Sequence, residues 1–155
     1  MSAIDLRGFA YDLEPLRQRR RWQLDAVQRR LVRSQAELRT AQRDLEGERA
    51  ALEAAARGAS DRALQRMDPR AHADSLLWLA RLRRRIEQCE ALCERLRADC
   101  RRLGQESLSR QQSLEAVEAH RDEALAEFAQ GTQRLQAVEA DRDWLARQAQ
   151  QGTRP

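Results

Sequence analysis

Three cysteines and two histidines are the side chains of this chain that could supply the sulfur and nitrogen ligands of a structural zinc site. Cys89, Cys93 and Cys100 are spaced four and seven residues apart, so that on a helix their thiols lie on one face. A structural zinc site needs four converging ligands, and His72 and His120 are each isolated in the sequence. We therefore expect no metal site, and we expect the cysteines to pack as small buried hydrophobic side chains.

The composition favours a helical binding protein over an enzyme. Of the 155 residues, 35% are charged and 4% are aromatic, and the apolar residues are mainly leucine and alanine. These residues form long helices, whereas sheets require β-branched and aromatic side chains. The sequence also lacks a glycine-rich phosphate-binding loop and a nucleophile motif. We expect no catalytic activity and no cofactor.

The sequence also indicates where the protein works. Its first residues lack the basic and apolar segments of a signal peptide, and no apolar run is long enough to span a bilayer. An odd number of cysteines clustered on one stretch fits a reducing compartment. We expect a cytoplasmic protein without direct membrane insertion.

Start and stop signals divide the chain into two long helices. Pro15 after Glu14 predicts the start of the first helix, because proline is tolerated in a first turn. Gly58 predicts its end, and both Asp68, which precedes a proline, and Asp74 are candidate caps of the second helix. The predicted parts are a loosely ordered segment 1–12, a single coiled-coil hairpin 13–149 (helix one 14–57, turn region 58–73, helix two 74–149) and a disordered tail 150–155.

A leucine ladder along helix one raises the question of a DNA-binding zipper. Leucine occupies every seventh position from Leu24 to Leu52, and a basic cluster, Arg17–Arg21, precedes it. In a zipper these leucines take heptad position d, which leaves position a to polar residues: Gln28, Gln35, Gln42 and Arg49. With leucine at a, position d instead holds Val27, Ser34, Ala41, Glu48 and Ala55. This alternation of large and small residues predicts close packing against a different helix.

Helix two is the expected packing partner of this leucine ladder. With Leu79 at position a, apolar residues and the three cysteines recur at a and d, and polar residues interrupt the second half. Seven-residue spacing sustained over this length predicts a supercoiled seam. The predicted fold class is all-α: an elongated two-helix antiparallel coiled-coil hairpin with unequal arms.

Reflection of the chain about residue 65 or 66 predicts which segments face each other. It places residue 24 near residue 107 and residue 17 near residue 114. The basic segment 17–33 then lies beside the acidic segment 105–127, and complementary charges along the flanks select the register.

Residues near the open end of the hairpin predict a partner-binding surface. Beyond about residue 120, helix two has no facing residues on helix one, yet it keeps apolar residues at seam positions. Either the first fifteen residues extend helix one and cover part of this stretch, or another protein covers it. Trp22 and Trp144 fall on outer heptad positions, and exposed tryptophan is enriched in binding sites. The partner-binding candidates are Phe9, Tyr11, Arg17, Arg19, Arg20, Arg21, Trp22, Phe128, Leu135, Val138, Trp144 and Leu145.

The opening of helix one follows a pattern of spaced leucines, then arginines, then heptads rich in glutamine and alanine: LEPLRQRRRWQLDAVQRRLVRSQAEL, Leu13 to Leu38. In this pattern and in its unequal helices, the chain resembles the FliJ/YscO (SctO) family, the central stalk of type III secretion ATPases. The resemblance implies a non-enzymatic coupling protein, peripheral at the base of a membrane-embedded secretion machine. Its open end would enter a hexameric ATPase, and its other implied partners are the export gate protein and export chaperones. Between a flagellar and a virulence system, we favour virulence.

Two other function classes stay open. A structural coiled coil could form a homodimer through the end of helix two, where apolar seam residues lack a facing helix. A nucleic-acid-binding helical protein ranks below it, because arginine clusters such as Arg83–Arg85 also suit a solvated helical face. We expect no nucleic-acid partner.

Overall fold

The chain folds as a hairpin of two long helices. A computed structural model describes residues 8–65 and 68–151, and its helices are α1, Glu14–Gln65, and α2, Pro69–Gln151. The two helices pack against each other, and the described residues contain no strand. These findings confirm the predicted all-α fold class, a helical hairpin with arms of unequal length.

Both helix starts are capped by the residues that precede them. The N–H of Glu14 donates to the carbonyl of Tyr11 at 3.0 Å, and α1 begins where the sequence predicted. In α2 the N–H of Arg70 donates to Oδ1 of Asp68 at 3.0 Å. Because Asp68 caps the helix and Pro69 suits its first position, α2 begins at Pro69, and the predicted start at residue 74 is wrong.

The predicted end of α1 at residue 57 is also wrong. Gly58, Ala59 and Ser60 are helical, and α1 continues to Gln65. A glycine costs a helix about 1 kcal/mol relative to alanine, which is too little to stop a helix built mostly of strong helix formers. Most of the turn region predicted over 58–73 is therefore helical. The connection lies between Gln65 and Pro69.

The residues Asp25–Ser109 form one packed unit, in which α1 and α2 meet along the predicted seam. Its core is a cluster of Ala41, Leu45 and Cys93, against which Leu38, Ile86, Cys89 and Leu96 pack. Two further α2 leucines at seam position d, Leu82 and Leu103, are buried. The leucine ladder therefore packs on its own chain.

Burial along α1 confirms the heptad register in which leucine takes position a. Small residues at position d, Val27, Ser34 and Ala41, are buried. Polar residues at the alternative positions, Gln28 and Gln35, are exposed. The small d residues therefore face α2, as the sequence predicted, and small side chains at a seam favour close approach of two helices.

The second packed unit joins the described residues up to Leu24 with those from Arg110 onward. Leu24 and Leu114 are buried in it. Arg110 is one of the polar interruptions of the seam, and its Nη1 donates to Oε1 of Gln23 at 3.2 Å. A long arginine side chain is tolerated at a seam position because its stem packs while its guanidinium reaches a polar partner.

Ion pairs between the helices confirm the predicted charge complementarity. In the unit that contains Arg110, Arg17 Nη1 lies 3.6 Å and Arg21 Nη2 lies 4.0 Å from Glu118 Oε1. In the Asp25–Ser109 unit, Arg30 Nη1 lies 3.8 Å from Glu106 Oε2. Arg17 thus meets α2 about one helical turn beyond the predicted position 114. The shift arises because the connection between the helices lies later in the chain than predicted.

Within the described residues, neither helix contains a stretch that is both long and apolar enough to cross a bilayer.

Candidate functional site

The cysteines contribute to packing. Cys93 is completely buried in the core cluster, and Cys89 packs against it. Cys100 is half-buried, with its Sγ 3.3 Å from Oγ of Ser34. This arrangement confirms that the cysteine face of α2 belongs to the core. Over the described parts of the chain, His, Cys, Asp and Glu side chains form no group of three that could hold a metal ion.

The segment before α1 packs on α2 through two aromatic side chains. The rings of Phe9 and Phe128 lie 5.5 Å apart between centroids, tilted by 59°. The Tyr11 hydroxyl donates to the carbonyl of Val117 at 3.1 Å, and it lies 3.0 Å from Nδ1 of His120. Since a hydroxyl has one proton, the Nδ1–H of His120 must be the donor to the Tyr11 oxygen. Phe9, Tyr11 and Phe128 thus take part in internal contacts.

These contacts correct the predicted loosely ordered segment 1–12. Residues 8–12 are held against α2, while residues 1–7 lie outside the described part of the chain. Thr132 is half-buried, and the side chains of residues 133–149 are exposed, so the covered part of α2 extends beyond the predicted limit near residue 120. The predicted start of a tail at residue 150 is wrong, because α2 continues to Gln151; residues 152–155 lie outside the described part of the chain.

The basic cluster at the start of α1 is partly engaged within its own unit. Arg17 binds Glu14 through Nε at 2.9 Å and Nη2 at 2.7 Å, in addition to its contact with Glu118. Arg20 is half-buried, whereas Arg19 is exposed. Arg19 and the partly engaged Arg21 are therefore the members of the cluster best placed to contact a partner.

The pair formed by Glu14 and Arg17 shifts the pKa values of both groups. The hydrogen bonds from Arg17 lower the pKa of the Glu14 carboxyl from 4.5 to about 2, and Gln18 adds a further hydrogen bond at 3.3 Å. The hydrogen bond to Glu14 likewise raises the pKa of the Arg17 guanidinium. Both shifts favour the ionised forms, so the pair remains charged at neutral pH.

We expect the Glu14→Gln variant to be less stable than the native chain at neutral pH, with a difference that disappears in acid. The pKa of Glu14 is about 2 in the folded chain and near 4.5 in the unfolded chain. Its contribution is therefore complete above pH 4.5 and is lost as the pH falls towards 2. Denaturant unfolding of both proteins across this range measures the difference. A difference that does not change with pH would contradict the assignment.

The end of α2 presents apolar side chains to solvent. From residue 133 to residue 149 every side chain is exposed. The exposed fractions are 67% for Leu135, 49% for Val138, 60% for Trp144 and 59% for Leu145. Leu135, Val138 and Leu145 continue the a and d positions of the seam, so an apolar stripe extends past the region that α1 and residues 8–13 cover. We call residues 133–149 the overhang.

Trp22 adds an exposed aromatic ring to the same packed unit. It lies on the outer face of α1 and is 69% exposed. Of the predicted partner-binding residues, the overhang residues, Trp22, Arg19 and the partly engaged Arg21 are accessible to a partner. Phe9, Tyr11, Phe128 and Arg17 instead stabilise the unit.

The structure also exposes apolar residues that the sequence analysis did not single out. Leu76, Leu77 and Trp78 are exposed near the start of α2, and Leu64 is exposed near the end of α1. The signal that could have found them is the run LLWL at 76–79, because four consecutive apolar residues cannot all face one seam of a helix.

Comparison of the chain with protein-family models, with curated proteins and with solved structures gives no match. The candidate function therefore depends on what the exposed surfaces can bind. Exposed leucine, valine and tryptophan side chains on a helix suit non-covalent association with another protein.

Proposed function

We propose that this chain is a non-enzymatic coupling protein of a type III secretion export apparatus, injectisome or flagellar. In this proposal the open end of the hairpin, which includes the overhang, binds inside the hexameric secretion ATPase. The protein links the ATPase to the export gate, and export chaperones are a further class of partner. It works in the cytoplasm, peripheral to the membrane-embedded machine.

The observation that carries the proposal is the overhang. A helix normally keeps an apolar stripe only where something covers it, since water disfavours exposed apolar surface. Full burial of one leucine or valine side chain is worth about 1.5–3 kcal/mol, so Leu135, Val138 and Leu145 together form an effective anchor. Trp144 lies next to Leu145, and tryptophan is the residue most enriched among energetically dominant contacts.

The second support is the combination of this surface with the fold class. A two-helix hairpin with one longer arm, whose first helix opens with the arginine-rich segment 13–38, fits the general pattern of the secretion stalks that the sequence resembles. The exposed Trp22 and Arg19 lie in the same packed unit as the overhang and extend the surface that a partner could contact.

We expect Leu135→Ser combined with Leu145→Ser to weaken binding to the hexameric secretion ATPase of the same genome by at least about tenfold, because two anchoring side chains lose their apolar contact. Fluorescence anisotropy with labelled chain and assembled ATPase measures the affinity. A matched control is Leu76→Ser with Leu77→Ser, which also replaces two exposed leucines but in the other packed unit. Circular dichroism of both variants verifies that they remain helical.

If the overhang variant and the native chain bound the ATPase with equal affinity, the proposed contact would be wrong. The same stripe could instead pair with a second copy of the chain, because its a and d spacing suits a coiled-coil seam. Sedimentation velocity at micromolar concentration distinguishes these outcomes. A native dimer that the overhang substitutions dissociate, together with no ATPase binding, would favour the homodimeric structural coiled coil.

A further inference from the structure

Arginines interrupt the seam in one of the two packed units. The described residues up to Leu24 and from Arg110 onward form what we call the open-end unit. Four of its seam positions hold half-buried arginines: Arg17, Arg20, Arg110 and Arg121. The Asp25–Ser109 unit instead buries leucine, valine, alanine and cysteine side chains along its seam. A region with fewer buried apolar contacts opens at a lower free-energy cost, so the open-end unit should open first.

Arg20 weakens this packing most directly. It occupies position d, and its Nε is buried without a hydrogen-bond partner. Over the described parts of the chain, no carboxylate forms an ion pair with Arg20. By contrast Glu48, a charged residue at position d of the Asp25–Ser109 unit, pairs with Arg85. A charged donor that loses its water without gaining a partner destabilises the arrangement that buries it.

The ion pairs of the open-end unit are partly exposed and do not compensate for Arg20. Arg17 and Arg21 share one carboxylate of α2, that of Glu118, at 3.6 Å and 4.0 Å. Nη1 of Arg121 lies 3.6 Å from Oδ1 of Asp122, its neighbour in the sequence, so this pair does not join the two helices. Exposed ion pairs contribute little to stability because water and salt screen them. These contacts therefore do not replace the apolar side chains that the seam lacks here.

The segment before α1 opposes the separation of the helices. The Phe9 ring packs on Phe128, and the Tyr11 hydroxyl bonds to the Val117 carbonyl and to His120. In the described part of this segment, no backbone–backbone hydrogen bond reaches α2. Two aromatic side chains thus hold the segment on α2, and a segment held in this way is released at low cost.

We infer that residues 8–24 detach from α2 transiently, as one local unit, while the Asp25–Ser109 unit stays packed. The unpaired Arg20 favours this local opening, because the guanidinium regains water, and the aromatic contacts of the segment before α1 oppose it. On α2 the opening uncovers Leu114 and Phe128, which share position a with Leu135 of the overhang. Leu114 lies about 30 Å before Leu135 along the helix axis, so the opening lengthens the accessible apolar stripe by about that distance.

Hydrogen exchange of the full chain, followed by mass spectrometry, tests the inference. We expect the amides of residues 18–24 to exchange at least about a hundredfold faster than those of residues 38–45 in the core of the other unit. The comparison begins at residue 18 because the first four amides of any helix lack intrahelical partners and exchange rapidly without a local opening.

Arg20→Leu should slow the exchange of residues 18–24 at least about tenfold, because leucine removes the unpaired charge and adds apolar contact. Arg19→Leu is the matched control, since it makes the same replacement at the exposed neighbouring position, and arginine and leucine have similar helix propensities. It should change the rate by no more than about twofold. Neither variant should change the rate of residues 38–45 by more than this factor.

Tyr11→Phe tests the contribution of the segment before α1. The variant keeps the aromatic ring but removes the hydrogen bonds to Val117 and His120. We expect exchange of residues 18–24 to become about tenfold faster, with residues 38–45 unchanged.

Three results would each overturn the inference. Equal exchange in residues 18–24 and 38–45 would show that the two units open together. If Arg20→Leu did not slow exchange, or slowed it no more than Arg19→Leu, the buried charge would not drive the opening. An unchanged rate in Tyr11→Phe would show that residues 8–24 do not detach as one unit. All these measurements use the free chain, so they do not depend on whether the overhang binds a secretion ATPase.

Discussion

Replacing Leu82 with alanine should lower the free energy of unfolding by about 2–5 kcal/mol, the usual cost of removing a buried leucine side chain. Leu82 is 1% exposed and occupies a d position of the α2 seam. Two extended helices have few neighbouring side chains that could move into the resulting cavity. Urea unfolding followed by the helical circular dichroism signal measures the loss.

The control for Leu82 lies five residues earlier on the same helix. Leu77 is 59% exposed, so Leu77→Ala should change the free energy of unfolding by no more than about 0.5 kcal/mol. If the two variants were equally stable, Leu82 would not be buried between the helices, and the register of the seam would be wrong.

Replacing Ala41 with leucine should also destabilise the hairpin, by about 1–3 kcal/mol. Ala41 is 5% exposed and lies in the core cluster with Leu45 and Cys93. A larger side chain at this position must force the helices apart or adopt a strained rotamer, because small d residues allow their close approach. Thermal and urea unfolding measure the effect.

Ala50→Leu provides the matched control, since Ala50 is exposed on the same helix and the helix propensities of alanine and leucine are similar. We expect it to be almost neutral. A stabilising effect of Ala41→Leu would instead show that the seam has room for a second row of leucines. That result would favour a zipper formed by two copies of α1, an arrangement that the polar residues Gln28 and Gln35 disfavour.

The sequence alone determined the fold class and the faces of the helices. Leucines at seven-residue spacing, with small residues three places after each of several of them, predicted which sides of α1 and α2 are buried, and Val27, Ser34 and Cys93 confirm it. This succeeds because the geometry of a helix converts spacing along the chain directly into direction in space. Charge patterning identified the facing segments for a similar reason, although it did not define their register to within one turn.

The tertiary structure alone decided where the helices end and which predicted binding residues remain free. Gly58 is a weak stop signal, and Asp68 and Asp74 are both acceptable caps, so preferences of about 1 kcal/mol could not select the boundaries. The positions of Phe9 and Tyr11 depend on contacts with Phe128 and Val117, more than a hundred residues away. No local pattern encodes such contacts, because they form only after the hairpin has brought the two ends of the sequence together.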